Sequence, residues 1–150
     1  MSTTSKDRLR LWLKVLKATK AVESEVRENL RREFATTLPR FDVMAALMQH
    51  GKGLKMSELS GVLKVSNGNV TGIVERLVED GHVQREKSEG DRRANLVRLT
   101  EAGKVEFSRQ AEAHEGWIAA AFAGLNPDEV QGIAESLEAV AQRLENGGKL

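Results

Sequence analysis

Between residues 54 and 100 the spacing of apolar side chains changes period. Leu59, Val62 and Leu63, then Val70, Ile73, Val74 and Leu77, recur three and four positions apart, the repeat of one buried helical face. Lys64, Val65 and Ser66 leave room between the two runs for only a tight turn, and Ser66 ahead of Asn67-Gly68-Asn69 can cap the free amides of the second helix. Beyond Gly81 the period falls to two. Val83 and Arg85 alternate with Gln84 and Glu86, and Leu96, Arg98 and Thr100 with Val97 and Leu99, which predicts two strands. Between them, residues 87–95 hold Gly90, the charged side chains Lys87, Glu89, Asp91, Arg92 and Arg93, and nothing apolar larger than Ala94. Such a segment cannot pack and projects as a hairpin tip. Helix, turn, helix and charged hairpin make a winged helix-turn-helix.

The flanks carry longer helical patterns. In residues 6–34 the set Leu9, Trp12, Leu16, Thr19, Val22, Val26, Leu30 and Phe34 steps by three or four without a Gly or Pro, predicting one long helix with a single stripe, apolar but for Thr19. Pro39 suits the first turn of a second helix, carried by Phe41, Val43, Met44, Leu47 and Met48 and ended by Gly51 and Gly53. Thr100 offers a cap to a helix reaching about Phe122, lined by Val105, the stem of Arg109, Ala111, His114, Trp117, Ile118, Ala121 and Phe122. Asn126-Pro127-Asp128-Glu129 then opens a last helix striped by Val130, Ile133, Leu137, Val140 and Leu144. The expected fold is mainly α: a winged helix-turn-helix DNA-binding lobe, residues 39–100, and an α-helical dimerisation lobe built from both chain ends, residues 1–38 and 101–150. The end helices expose more apolar surface than the small central module can cover, so a homodimer is expected.

Composition narrows the partners. The 150 residues contain no Cys, which excludes disulfides, thiolate metal sites and thiol-based redox sensing. The start lacks the apolar core of a signal peptide and no run is long enough to span a membrane, so a cytoplasmic protein with no membrane partner is expected. Net charge is only +1, but it is unevenly spread: residues 1–34 carry nine Lys/Arg against five Asp/Glu, residues 35–100 ten against eight, and residues 101–150 four against nine. An acidic tail masks a basic front that a DNA surface can use. With 4% aromatic residues and no Tyr, the chain lacks the stacking platform typical of single-stranded nucleic-acid binding.

The order of these motifs, with L-P-R-F-D-V-M-A-A-L, L-K-M-S-E-L, V-S-N-G-N-V-T-G-I-V-E-R-L-V-E-D-G and above all D-R-R-A-N-L-V-R-L-T-E-A-G, resembles the MarR family of bacterial transcriptional regulators over about residues 9–145. Asp91, Arg93, Val97, Leu99 and Thr100 meet the wing pattern of that family. The resemblance implies a homodimer on a pseudo-palindromic duplex, usually a repressor, often released by a small phenolic or other aromatic effector. Oxidant-sensing members use Cys, absent here, and zinc-binding members use His, Glu and Cys clusters that this chain does not present.

Candidate DNA contacts follow from chemistry and position. On the face of the second helix opposite its apolar stripe stand Ser66, Asn67, Asn69, Thr71, Gly72 and Arg76. Asn pairs bidentately with adenine and Thr can touch a thymine methyl or a phosphate, so Asn67, Asn69 and Thr71 are the base-edge candidates, unless the two Asn merely cap and solvate the first turn. Arg76 can reach phosphate or pair with Glu75, Glu79 or Asp80. Gly68 and Gly72 cost about 1 kcal/mol each relative to Ala inside a helix, and close approach to DNA would explain them. By resemblance Arg93 enters the minor groove, Asp91 orients it and Arg92 meets phosphate; the plainer reading is a solvated charged hairpin. Trp12, Met44, Met48 and Trp117 are candidates for an effector pocket, against a simple core role. His50, His82 and His114 complete no metal set or catalytic triad and no phosphate loop is present, so no enzyme activity, metal or cofactor is expected. The competing function is a winged-helix protein-interaction module or dimeric scaffold that binds no DNA.

Overall fold

The structure, a computed structural model, describes residues 3–64, 67–87 and 95–148. In chain order its elements are α1 (Thr3–Phe34), α2 (Leu38–Gln49), β1 (Leu54–Lys55), α3 (Met56–Leu63), α4 (Asn67–Glu79), β2 (Val83–Lys87), β3 (Asn95–Leu99), α5 (Glu101–Ala121) and α6 (Pro127–Glu145). The contacts divide the chain into two compact units, Met1–His114 and Glu115–Leu150. The fold is mainly helical with one antiparallel sheet ordered β1-β3-β2.

Both wing strands form as their alternation requires, pairing from Val83↔Leu99 to Lys87↔Asn95. A third strand joins them that the pattern did not announce. β1 is two residues long, too short to express a period, and it exists because Leu54 and Lys55 pair with Val97 and Leu96 from forty positions away. Val83, Val97 and Leu99 turn their side chains inward, onto a core shared with Val43, Met44 and Leu47 of α2, Leu54, Leu59 of α3, and Val70, Val74 and Leu77 of α4. One contiguous apolar cluster therefore fixes α3, α4 and the wing base to one another.

Local chemistry sets the helix ends. Thr37 caps α2, its Oγ1 accepting from the Arg40 amide at 3.3 Å, with Pro39 in the first turn. Asn126 caps α6 through a reciprocal box: its Oδ1 accepts from the Glu129 amide at 2.8 Å, while Glu129 Oε1 accepts from the Asn126 amide at 3.1 Å. α1 ends without glycine, at Ala35 in the left-handed region, where the Ala35 and Thr36 amides donate to the Arg31 and Leu30 carbonyls.

The inward face of α5 is offset from the expected stripe in its N-terminal part, while Ala111, His114, Trp117 and Ile118 are half-buried as part of that stripe. Val105 is 64% exposed, whereas Gly103 and Gln110 are buried and Phe107 packs against the core. Phe107 and His114 lie against Phe41, with ring centroids 5.3 and 4.8 Å away. A helix read at 3.6 residues per turn allows either stripe, and the polar Gln110 hid the one that packs. Asp42, beside this stack, has its carboxyl pushed up by loss of water and by Glu23, against the lowering pull of His114 and Arg27.

The end helices are less finished. Of the α1 stripe only Val26 and Leu30 are buried, and Trp12 is 55% exposed with Leu9, Leu11 and Leu13 beside it. α6 buries no residue at all. Among the described residues no helix is long and apolar enough to cross a membrane.

Candidate nucleic-acid interface

α3 begins where the Lys55 amide donates to Glu58 Oε1 at 2.9 Å, and it ends at Lys64, whose φ of +56° is left-handed. That reversal, with the Lys64 amide donating to the Ser60 carbonyl, lets α4 start at Asn67. α4 is about 20 Å long at its helical rise, a rod of the width that a DNA major groove admits. Val70, Val74 and Leu77 pin one side of it to the core. Ile73, expected among them, is only half-buried and sits on the flank.

The side facing away from the core reads from small and polar to acidic. Asn69 and Gly72 are exposed and Thr71 is half-buried, followed by exposed Glu75, Arg76 and Glu79. A Cβ added at Gly72 would meet nothing within 4 Å, so this glycine is not demanded by packing inside the chain. Arg76 pairs with a neighbour on its own helix turn: its Nε donates to Asp80 Oδ1 at 3.3 Å. Both partners are exposed, so the pair is worth about 0–1 kcal/mol and is readily exchanged for another anion. Ser66, Asp91, Arg92 and Arg93, and the side chain of Asn67, lie outside the described residues.

The wing base is anchored at both ends. Arg98 on β3 reaches diagonally to Glu86 on β2, N to O 3.0 Å. At the other end the chain leaves α4 through Gly81, φ +80°, and His82 donates its amide to the Leu77 carbonyl. The His82 carbonyl accepts from the Thr100 amide at 3.0 Å, and Thr100 Oγ1 donates to the Gly81 carbonyl at 2.7 Å while accepting from the Gly103 amide at 2.9 Å. Thr100 is thus the α5 cap expected of it, and also a latch on the end of α4. Gly103 is required here, because any Cβ would collide with the His82 carbonyl oxygen. The L-T-E-A-G run is the sequence trace of this latch, which holds the wing base, α4 and α5 in fixed order.

The four effector-pocket candidates each have their own surroundings. Met44 is enclosed in the core and Met48 packs on its edge, Trp12 is exposed on α1, and Trp117 belongs to the second unit. A groove that sequence reasoning missed lies against α4. It has a volume of about 630 Å³, and its lining includes Arg27 from α1, Arg40 from α2, and Asn69, Gly72, Ile73 and Arg76 from α4. Residues so distant in sequence give no local signal, and only the packing of α2 on α4 brings them together.

Comparison with known proteins gives this arrangement a family. The family model described as MarR family matches residues 36–94. The chain is 34% identical to the HTH-type transcriptional regulator YfiV of Bacillus subtilis over 139 residues, 93% of this chain and 84% of that protein. A crystal structure of a MarR family transcriptional regulator from Silicibacter pomeroyi superposes with a TM-score of 0.79 at 31% identity, covering 96% of this chain and 99% of the other. The fold also matches that of Sco3205, a MarR family transcriptional regulator from Streptomyces coelicolor solved in complex with DNA, with a TM-score of 0.79 at 24% identity, covering 95% and 89% of the two chains. With a winged helix-turn-helix latched at Thr100 and Gly103, and relatives this similar along nearly their whole length, the chain belongs to the MarR family of transcriptional regulators.

Proposed function

We propose that this protein binds a pseudo-palindromic duplex as a homodimer and represses transcription by occupying the operator, until a small aromatic effector releases it. The observation that carries the reading is the outward side of α4, where Asn69 and Gly72 stand exposed on a helix whose opposite side is locked into the core, with open space where a Gly72 side chain would be. A rigid helix that offers an amide side chain and bare backbone suits the edges and sugar-phosphate walls of a major groove. In a helix-turn-helix the N-terminal part of the second helix reads bases. Here the acids Glu75 and Glu79 repel phosphate from the C-terminal part, which favours the same docking. In this reading Asn67, Asn69 and Thr71 face base edges, Ser66 stands beside them at the start of the helix, Arg92 meets phosphate, and Arg93, oriented by Asp91, enters the minor groove.

The dimer in this proposal uses the exposed apolar residues of α1 and α6, so that a lobe of residues 1–38 and 101–150 from each copy holds two modules of residues 39–100. The effector half of the proposal rests on family membership, with Trp12 and Trp117 as its aromatic candidates. The test is a mobility shift with random duplex at low salt, repeated with Arg93→Ala. The wild type should bind with a dissociation constant on the order of 10⁻⁴ to 10⁻⁶ M or tighter. Arg93→Ala should weaken binding by about 1–3 kcal/mol and leave assembly unchanged. A wild type that binds no duplex at such concentrations leaves the scaffold function in its place.

A further inference from the structure

The arginine-lined groove beside α4 belongs to neither the turn nor the wing. We propose that it seats the phosphate backbone of the DNA strand that borders the major groove, with Arg40 and Arg27 as the contacts. This rests on the DNA-binding reading above and adds to it contacts from α1 and α2, the helices that precede the helix-turn-helix.

Among the described residues three guanidinium groups, Arg27, Arg40 and Arg76, line the groove and no carboxylate does. Five of the nine arginines on the described helices are held by a near neighbour: Arg10 by Asp7, Arg31 by Glu28, Arg32 by Asn29, Arg76 by Asp80 and Arg109 by Glu106. Among the described residues neither Arg40 nor Arg27 has an ion pair within 4 Å. Arg27 is felt at a distance by the Asp42 carboxyl, and Arg40 stands in the first turn of α2, where a cation gains nothing from the helix dipole. A positive side chain at the positive end of a helix, without a partner, is stabilised when an anion arrives.

Asn69, Gly72, Ile73 and Arg76 recur three and four apart along α4 and form the wall of the groove, so whatever lies in it runs alongside the helix that enters DNA. A duplex strand bordering the major groove has that course. An enclosed pocket would take a small ligand, but this is an open trough lined by three guanidiniums, suited to a chain of phosphates that stays partly in water. Because phosphate contacts fix register without reading bases, the groove would set how deeply Asn69 and Thr71 sit against base edges.

Salt titration of binding, read by fluorescence anisotropy on a random duplex and on a preferred one, tests the inference with Arg40→Ala and with Arg27→Ala combined with Arg40→Ala. Each phosphate contact adds about 0.9 to the slope of log affinity against log salt, so with two copies on the duplex the slope should shrink by about 1.8 for the single variant and about 3.6 for the double. Both duplexes should lose affinity by the same factor. Arg40→Lys should keep the wild-type slope and Arg40→Gln should not, a distinction that a role in folding would not produce, and this pair carries the test if the alanine variants melt early. A wild type with a steep salt slope beside a double variant with the same slope overturns the groove assignment and leaves the DNA reading standing. A wild type that binds no duplex removes both.

Discussion

Two regions of this chain use the same apolar repeat and end in opposite conditions. In the central module Leu47, Leu59, Val70, Val74 and Leu77 leave almost no surface to water, each sealed by residues of the same chain. In α6, Val130, Ile133, Leu137, Val140 and Leu144 form an equally regular stripe, yet each is 42–59% exposed. The N-terminal half of α1 resembles α6 in this, with Leu9, Leu11, Trp12 and Leu13 all more than half exposed. Burying a side chain of this kind is worth about 1.5–3 kcal/mol, so a stripe of five left wet represents several kcal/mol available to whatever covers it. The difference teaches that periodicity announces a face to be buried and is silent about the partner. The central module is finished within one chain. The ends, on the proposed reading, are finished by a second.

The largest expected effect breaks the comparison at α6. Leu137→Glu places a charge in the middle of its stripe and should convert the dimer into a monomer in sedimentation velocity, while slow amide exchange persists in residues 41–47 and 70–77. A variant that remains a dimer would show that α6 is not the covered face. A smaller effect sharpens the comparison from the other side. Leu59→Ala, at a position with no exposed surface, should cost about 2–5 kcal/mol in urea unfolding with the oligomeric state unchanged. A loss below about 1 kcal/mol there would contradict the claim that the module is closed by its own residues.

The same contrast decides what could be read from residue order. Helix starts were legible because their signals are local: Pro39 stands in the first turn of α2, and Thr100 before Glu101 and Asn126 before Pro127 cap the helices that they precede. The wing strands were legible because five residues suffice for an alternation. β1 was not, since two residues carry no period and its reason for existing lies in β3. Gly103 was visible but unexplained until the His82 carbonyl stood against it. For the interface, Asn69 and Gly72 were legible as an outward face on α4 from the stripe opposite. Arg27 and Arg40 were not, because a groove assembled from α1, α2 and α4 leaves no mark on any one of them.

The central claim is that two copies of α4, held by the chain ends, read duplex DNA together. Hydroxyl-radical and methylation footprinting on a selected operator tests it most directly. The account predicts two symmetric sets of major-groove protections whose centres are about 34–36 Å, one helical turn, or a multiple of that, apart, both lost together in Leu137→Glu. A single protected half-site at saturation, unchanged in that variant, would contradict it.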